Sequence, residues 1–141
     1  MISIRETINA KKSVVWDAWI TPQHIVNWYF ASEDWCCPSA NVECKIGGSF
    51  SIRMEAKDNS FGFDFYGQFT AVNFHKSLGY TLGDGRKVSV EFEGLNDQTT
   101  IVWHFEPETQ NPESLQRQGW QAILTHFKQY VERSTVESLV I

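Results

Sequence analysis

Cysteine is scarce in this chain: three residues in 141, two of them adjacent at Cys36 and Cys37. An odd set without regular spacing does not make a disulfide framework. Cys36, Cys37 and Cys44 also lack the short Cys–Cys spacing of a structural zinc site. The expectation is therefore reduced thiols in a cytoplasmic protein, with no metal. Positive charge is scarce as well. The net charge is −5 and no block of Lys and Arg occurs. Phosphate binding needs clustered cations, so nucleic acid is excluded as a main partner. No apolar run approaches the roughly 18 residues of a membrane span. The opening segment, Met1 to Ile8, has no charged region followed by a long apolar one, so no secretory leader is expected.

Catalytic signatures are missing too. There is no HExxH, no Gly-x-Ser-x-Gly and no phosphate-cradling glycine loop. Gly47-Gly48 precedes a strand and so lacks the amides and dipole of a helix N-terminus. The four histidines, His24, His75, His104 and His126, fall on different predicted elements. No cofactor is expected.

Aromatic residues, in contrast, are abundant. They make up 14% of the chain, with six Trp and ten Phe. A single domain of this length buries roughly 68–70% of its unfolded surface, so it can form a core without staples. The aromatic surplus either fills that core or lines an apolar pocket.

Periodicity orders the chain. Ile2, Ile4 and Ile8 alternate with Ser3, Arg5 and Thr7, a strand with Glu6 on its apolar parity. Asn9 is placed to cap a helix carrying Val14, Val15, Trp16, Ala18 and Trp19. Thr21-Pro22 opens a second, short helix that ends near Trp28-Tyr29-Phe30. Residues 31–40 read as a loop, followed by a strand from Asn41 to Lys45. Phe50, Ile52 and Met54 share one face of the next strand. Phe61, Phe63 and Phe65 share a face of the one after it, with a bulge expected at Tyr66-Gly67. Leu78, Tyr80 and Leu82 lead into the turn Gly83-Asp84-Gly85-Arg86. Val88, Val90 and Phe92 follow, then a turn at 95–98, then Ile101, Trp103 and Phe105. His104 lies on the opposite parity from its neighbours. Asn111-Pro112 opens a helix reaching about Arg133.

That last helix has an apolar arc of roughly 200° at 100° per residue, against the roughly 100° of an ordinary surface helix. It runs over Leu115, Gly119, Trp120, Ala122, Ile123, Leu124, Phe127, Tyr130 and Val131. Such a width suits a helix gripped by a curved sheet. Gln116 falls at the centre of the arc and His126 at its edge. Gly119, mid-helix, is expected to permit close approach of the sheet or the short helices.

The ordered motifs Val15-Trp16-Asp17-Ala18-Trp19, Thr21-Pro22 with Trp28-Tyr29-Phe30, Ile46-Gly47-Gly48-Ser49-Phe50, Phe65-Tyr66-Gly67-Gln68-Phe69 and Gly119-Trp120 with Leu124 and Tyr130 resemble the activator-of-Hsp-90-ATPase-like family. That family belongs to the START-like (SRPBCC) superfamily of helix-grip proteins. The chain departs from the family at Ala71 and Phe74, where an acidic residue and a proline are usual, and in the 31–40 loop. The resemblance implies an α+β fold: a curved antiparallel sheet of six to seven strands around a long C-terminal helix, with two short helices after the first strand. It also implies a deep cavity between helix and sheet. The domain is expected to span 1–134, with 135–141 a tail that continues the helix, docks on the body or pairs with another subunit.

The leading expectation is non-catalytic binding of a small apolar or aromatic molecule. Its contacts come from the inward strand parity at Phe50, Ile52, Met54, Phe63, Phe65, Tyr80, Val90, Phe92 and Trp103. Gln116, Trp120 and Ile123 add the helix, and Trp28 and Phe30 the mouth. Gln116 is expected to face either a polar group, which would let it orient the ligand in an otherwise apolar pocket, or simply water at a helix end. The alternatives are a co-chaperone-like protein-interaction module, with a chaperone as partner, and a cyclase- or hydratase-like enzyme using His126 and Glu6. Monomer and homodimer are both open.

Overall fold

The computed structural model describes residues 1–140, and side-chain surroundings for residues 1–134. In chain order the elements are β1 (Ile2–Ile8), α1 (Lys12–Ile20), α2 (Pro22–Ile25), β2 (Trp35–Val42), β3 (Ser49–Ala56), β4 (Gly62–Asn73), β5 (Ser77–Leu82), β6 (Lys87–Leu95), β7 (Gln98–Phe105) and α3 (Glu113–Val140). The seven strands form one antiparallel sheet in the order β1-β7-β6-β5-β4-β3-β2. It curls into a half-barrel around α3, which is the helix-grip fold.

Alternation dictates which face is apolar. On β3, Phe50, Ile52 and Met54 are buried while Ser51, Arg53 and Glu55 are not. On β7, Ile101, Trp103 and Phe105 are completely buried. His104 faces outward, against Ser3 Oγ and the Glu91 carboxylate. Strand β1 would be an open edge, a hazard in any sheet. Here α3 lies along it, with Arg117 donating to the Ser3 carbonyl and Lys128 to the Thr7 carbonyl.

Several local expectations are corrected. The strand expected at 41–45 begins earlier, at Trp35, inside the predicted loop. It is an edge strand with a register shift between Cys36 and Ser39, the kind of site where a proline such as Pro38 is tolerated. Parity on β4 runs unbroken past Gly67, and the register shift comes between Phe69 and Ala71. Gly67 answers crowding instead: a Cβ there would stand 2.5 Å from the Thr81 carbonyl oxygen and 2.9 Å from the Phe50 ring. Asn9 does not cap α1, whose N-cap is Lys11. Its amide donates to Glu132 and its side-chain oxygen accepts from Gln98. Leu115, counted in the apolar arc of α3, is 54% exposed. The helix itself continues to Val140, and Ile141 lies outside the described residues.

The groove between α3 and the sheet is filled at one end. Trp19 from α1 and Trp28 after α2 meet Phe127 of α3 with ring centroids 5.0 and 4.6 Å away, and each other at 5.1 Å. Trp19 also meets Trp103, edge to face at 5.0 Å. Offset and edge-to-face pairs of this kind add roughly 0.5–1.5 kcal/mol each beyond simple burial. The short helices thus plug the groove over the C-terminal half of α3 and leave the half around its first turns open.

Candidate functional site

The open half is a cavity of about 410 Å³, within the roughly 300–1,000 Å³ of ligand pockets. Phe65 of β4, Trp103 of β7 and Trp120 of α3 form its aromatic wall, with ring centroids 4.7–5.8 Å from Trp120. Trp120 is held in place by stacking on Phe105 at 3.9 Å and 10°. Met54, Phe63 and Ile123 extend the apolar lining. The segment after α2 closes one side with Tyr29, Phe30, Ala31 and Ser32. Trp35 of β2 stands beside Phe63, 6.0 Å between centroids.

Polar groups gather at the rim. Arg86 comes from the β5–β6 turn, and Glu108 and Asn111 from the segment leading into α3. Arg86 donates from Nε to Asp84 at 2.8 Å and from Nη1 to the Glu106 carbonyl at 3.4 Å. The Glu108 carboxylate accepts from the amides of Gln110 and Asn111 and from the Asn111 side chain. The Gln110 amide first, then the Asn111 side chain, hold its pKa below the ordinary carboxylate value.

Of the residues expected to form the pocket, Phe30, Met54, Phe63, Phe65, Trp103, Gln116, Trp120 and Ile123 line this cavity. The others do not. Trp28 and Val90 have no exposure and Phe92 has 3%; they pack in the plugged end of the groove. Phe50, Ile52 and Tyr80 surround a separate void of about 30 Å³, room for roughly one water. Strand parity places all these residues on the same face, but it does not say which part of that face the short helices cover.

Gln116 meets polar groups of the chain itself. It neither faces water nor offers its amide to the cavity. It is 8% exposed, and its Nε2 donates to the carbonyls of Glu108 (3.0 Å) and Asn111 (2.8 Å). Its Oε1 accepts from the Glu108 amide at 2.9 Å. Both amide protons are spent on fastening the 108–111 segment that forms the rim. His126 is similarly occupied: its Nδ1–H donates to the Phe30 carbonyl, since a carbonyl can only accept. This pins the segment after α2 to α3. Glu6 faces Gln121. Neither His126 nor Glu6 lines the cavity.

Sequence reasoning missed Tyr29, Ala31, Ser32, Trp35, Arg86, Glu108, Asn111 and Gly119 as lining residues. By sequence the segment at 31–35 reads only as a loop next to a Trp-rich stretch, and Tyr29 only as part of a helix end. Arg86 reads by sequence only as part of a turn, because turn chemistry carries no signal for what the turn overhangs. The close packing expected at Gly119 is absent: a Cβ built on it meets no atom within 4 Å. A glycine in a helix interior costs about 1 kcal/mol relative to alanine, and no neighbouring element requires it here.

Among the described residues, no group of three His, Cys, Asp or Glu side chains could hold a metal ion. Burial pushes the Cys37 thiol up to about 11 and raises Cys44 as well, which disfavours the reactive thiolate. Among those residues no helix is long and apolar enough to cross a membrane.

A family profile described as Activator of Hsp90 ATPase homolog 1-like protein matches residues 9–132. The chain belongs to that family. Solved relatives agree over nearly the whole length. An AHSA1-like protein from Aeromonas hydrophila is 38% identical, with a TM-score of 0.87 over 95% of this chain and 94% of its own. A protein from Cytophaga hutchinsonii is 44% identical, with a TM-score of 0.81 over 95% and 93%. A Nitrosomonas europaea protein with 15% identity and a TM-score of 0.78, covering 96% of both chains, shares the fold. The chain matches no curated protein sequence. Family membership accounts for the helix-grip architecture, but fold alone does not define an activity. For this AHSA1-like chain the cavity has to carry the functional argument.

Proposed function

We propose that this protein binds a small, mostly apolar or aromatic molecule in the cavity between α3 and the sheet, without chemically transforming it. The observation that carries the reading is the cavity's composition. An interior of about 410 Å³ lined by Phe30, Phe65, Trp103, Trp120, Met54 and Ile123 is left open in a fold whose other end is packed with tryptophan. Its charged lining side chains are Arg86 and Glu108, both at the rim and both already hydrogen-bonded within the protein. That arrangement suits recognition of an apolar body with one polar end.

The test is titration with N-phenyl-1-naphthylamine, a neutral aromatic dye whose fluorescence rises in apolar surroundings. Saturable one-to-one binding is expected, accompanied by quenching of the lining tryptophans. Ser32→Trp, at an exposed rim position, should weaken it at least tenfold with little change in melting. Absence of saturable binding would refute the reading. Mass spectrometry of protein purified from its own host would then identify any retained molecule.

A second reading, a protein-interaction module acting on a chaperone ATPase, is favoured by the exposed aromatics beside the cavity. Phe61 is 61% and Phe63 39% exposed, and each stands about 6 Å from the Trp35 ring. It requires stimulation of the host chaperone's ATPase that Phe61→Ser abolishes.

A further inference from the structure

We propose that Gly119 is the specificity-determining residue of this cavity: its missing side chain opens a slot in the wall of α3 that admits a planar aromatic ring. This rests on the binding reading above and names the shape of the molecule bound.

The chain has nine glycines. Gly47 and Gly85 have left-handed backbone, with φ of +83° and +92°. At Gly48, Gly62, Gly67, Gly79, Gly83 and Gly94 a Cβ would meet another atom at 3.3 Å or less. Crowding or backbone geometry therefore explains each of these eight. Gly119 has neither reason. Its backbone is helical, and a Cβ there would enter open space. That space is the cavity, which Gly119 lines. In a helix interior, where glycine is disfavoured, a bare position facing an open cavity fits close approach by something outside the chain.

The surroundings define the slot. Gln116, Gly119 and Ile123 follow one another at spacings of three and four residues on α3, Trp120 adjoins Gly119, and all four line the cavity. Gln116 on one side is immobilised by its three hydrogen bonds to the 108–111 segment. Trp120 is immobilised by its stack on Phe105. Across the mouth stand Ala31 and Ser32, both small and exposed. A planar aromatic ring can lie against the bare backbone at Gly119 between the fixed side chains of Gln116 and Trp120, whereas a saturated ring system of the same carbon skeleton is thicker and stands farther from it.

The experiment uses the intact chain and its Gly119→Ala and Gly119→Leu variants. Probe affinity and melting midpoint are measured for each with N-phenyl-1-naphthylamine. Displacement of the probe from the wild type is then compared for 2-naphthol and 2-decalol, which share skeleton and hydroxyl but differ in planarity. G119A should melt at or above the wild-type temperature, because alanine favours the helix, yet bind the probe at least fivefold more weakly. G119L should bind at least fiftyfold more weakly. 2-Naphthol should displace the probe at a concentration at least tenfold lower than 2-decalol. If the wild type binds and G119A and G119L bind within twofold of it, the slot assignment is overturned while cavity binding stands. Equal displacement by the two alcohols overturns the planar specificity. If the wild type shows no saturable binding, this inference falls together with the reading on which it rests.

Discussion

Replacing Gln116 separates a structural role from a ligand-facing one in the protein without ligand. Its side chain makes three hydrogen bonds, two donated to the carbonyls of Glu108 and Asn111 and one accepted from the Glu108 amide. Neutral intramolecular hydrogen bonds contribute roughly 0.5–1.5 kcal/mol each, net of the water they displace. In Gln116→Leu the released groups of the rim segment can partly reach water, so the summed loss is put at about 2 kcal/mol. For 141 residues, at roughly 3 °C per kcal/mol, the melting midpoint should fall by about 6 °C.

Gln116→Glu sharpens the test. It keeps an acceptor for the Glu108 amide but directs a carboxylate at two carbonyl oxygens. The introduced acid should therefore have a folded pKa above its unfolded one. Its penalty is then largest above the folded pKa and shrinks as pH falls, because the protonated acid can donate one hydrogen bond. Thermal melts from neutral to mildly acidic pH, together with hydrogen exchange at the Glu108 amide, read both effects. A Gln116→Leu variant that melts within about 1 °C of wild type and retains slow exchange at Glu108 would refute the account of Gln116 as a fastener of the rim.

Tyr80→Phe should destabilise the fold by about 1–2 kcal/mol in urea, because it strips the acceptor from the buried Trp103 Nε1–H, 3.1 Å away. Tyr80 does not line the cavity, so probe affinity should stay unchanged. Glu108→Gln should flatten the acid limb of stability. The amide of Gln110 and the side chain of Asn111 hold the wild-type carboxylate pKa below its ordinary value. Its contribution is accordingly complete above the ordinary carboxylate range and is lost as pH falls through the lowered value. The wild-type advantage over E108Q should be greatest near neutrality and vanish in strong acid, as read by denaturant unfolding across pH.

Sequence alone determined the succession of strands and helices along the chain, the long final helix, the inward parity of β3 and β7 and the outward turn of His104. These follow from period-two and period-3.6 patterns that depend only on near neighbours in the chain. The motifs carrying the family resemblance were legible for the same reason. Tertiary structure decided which stretch of the groove is empty. Trp28, Val90 and Phe92 share the apolar face with Met54, Phe65 and Trp103, and no periodicity distinguishes the two sets. They differ only because Trp19 and Trp28, delivered by two short helices, fill one end of the half-barrel against Phe127. Gln116 and Gly119 make the same point. The helical pattern placed both on the buried face of α3. Only the packing of the 108–111 segment shows that the first is consumed as a structural tie, and only the tertiary surroundings of the second show that no neighbouring element crowds it.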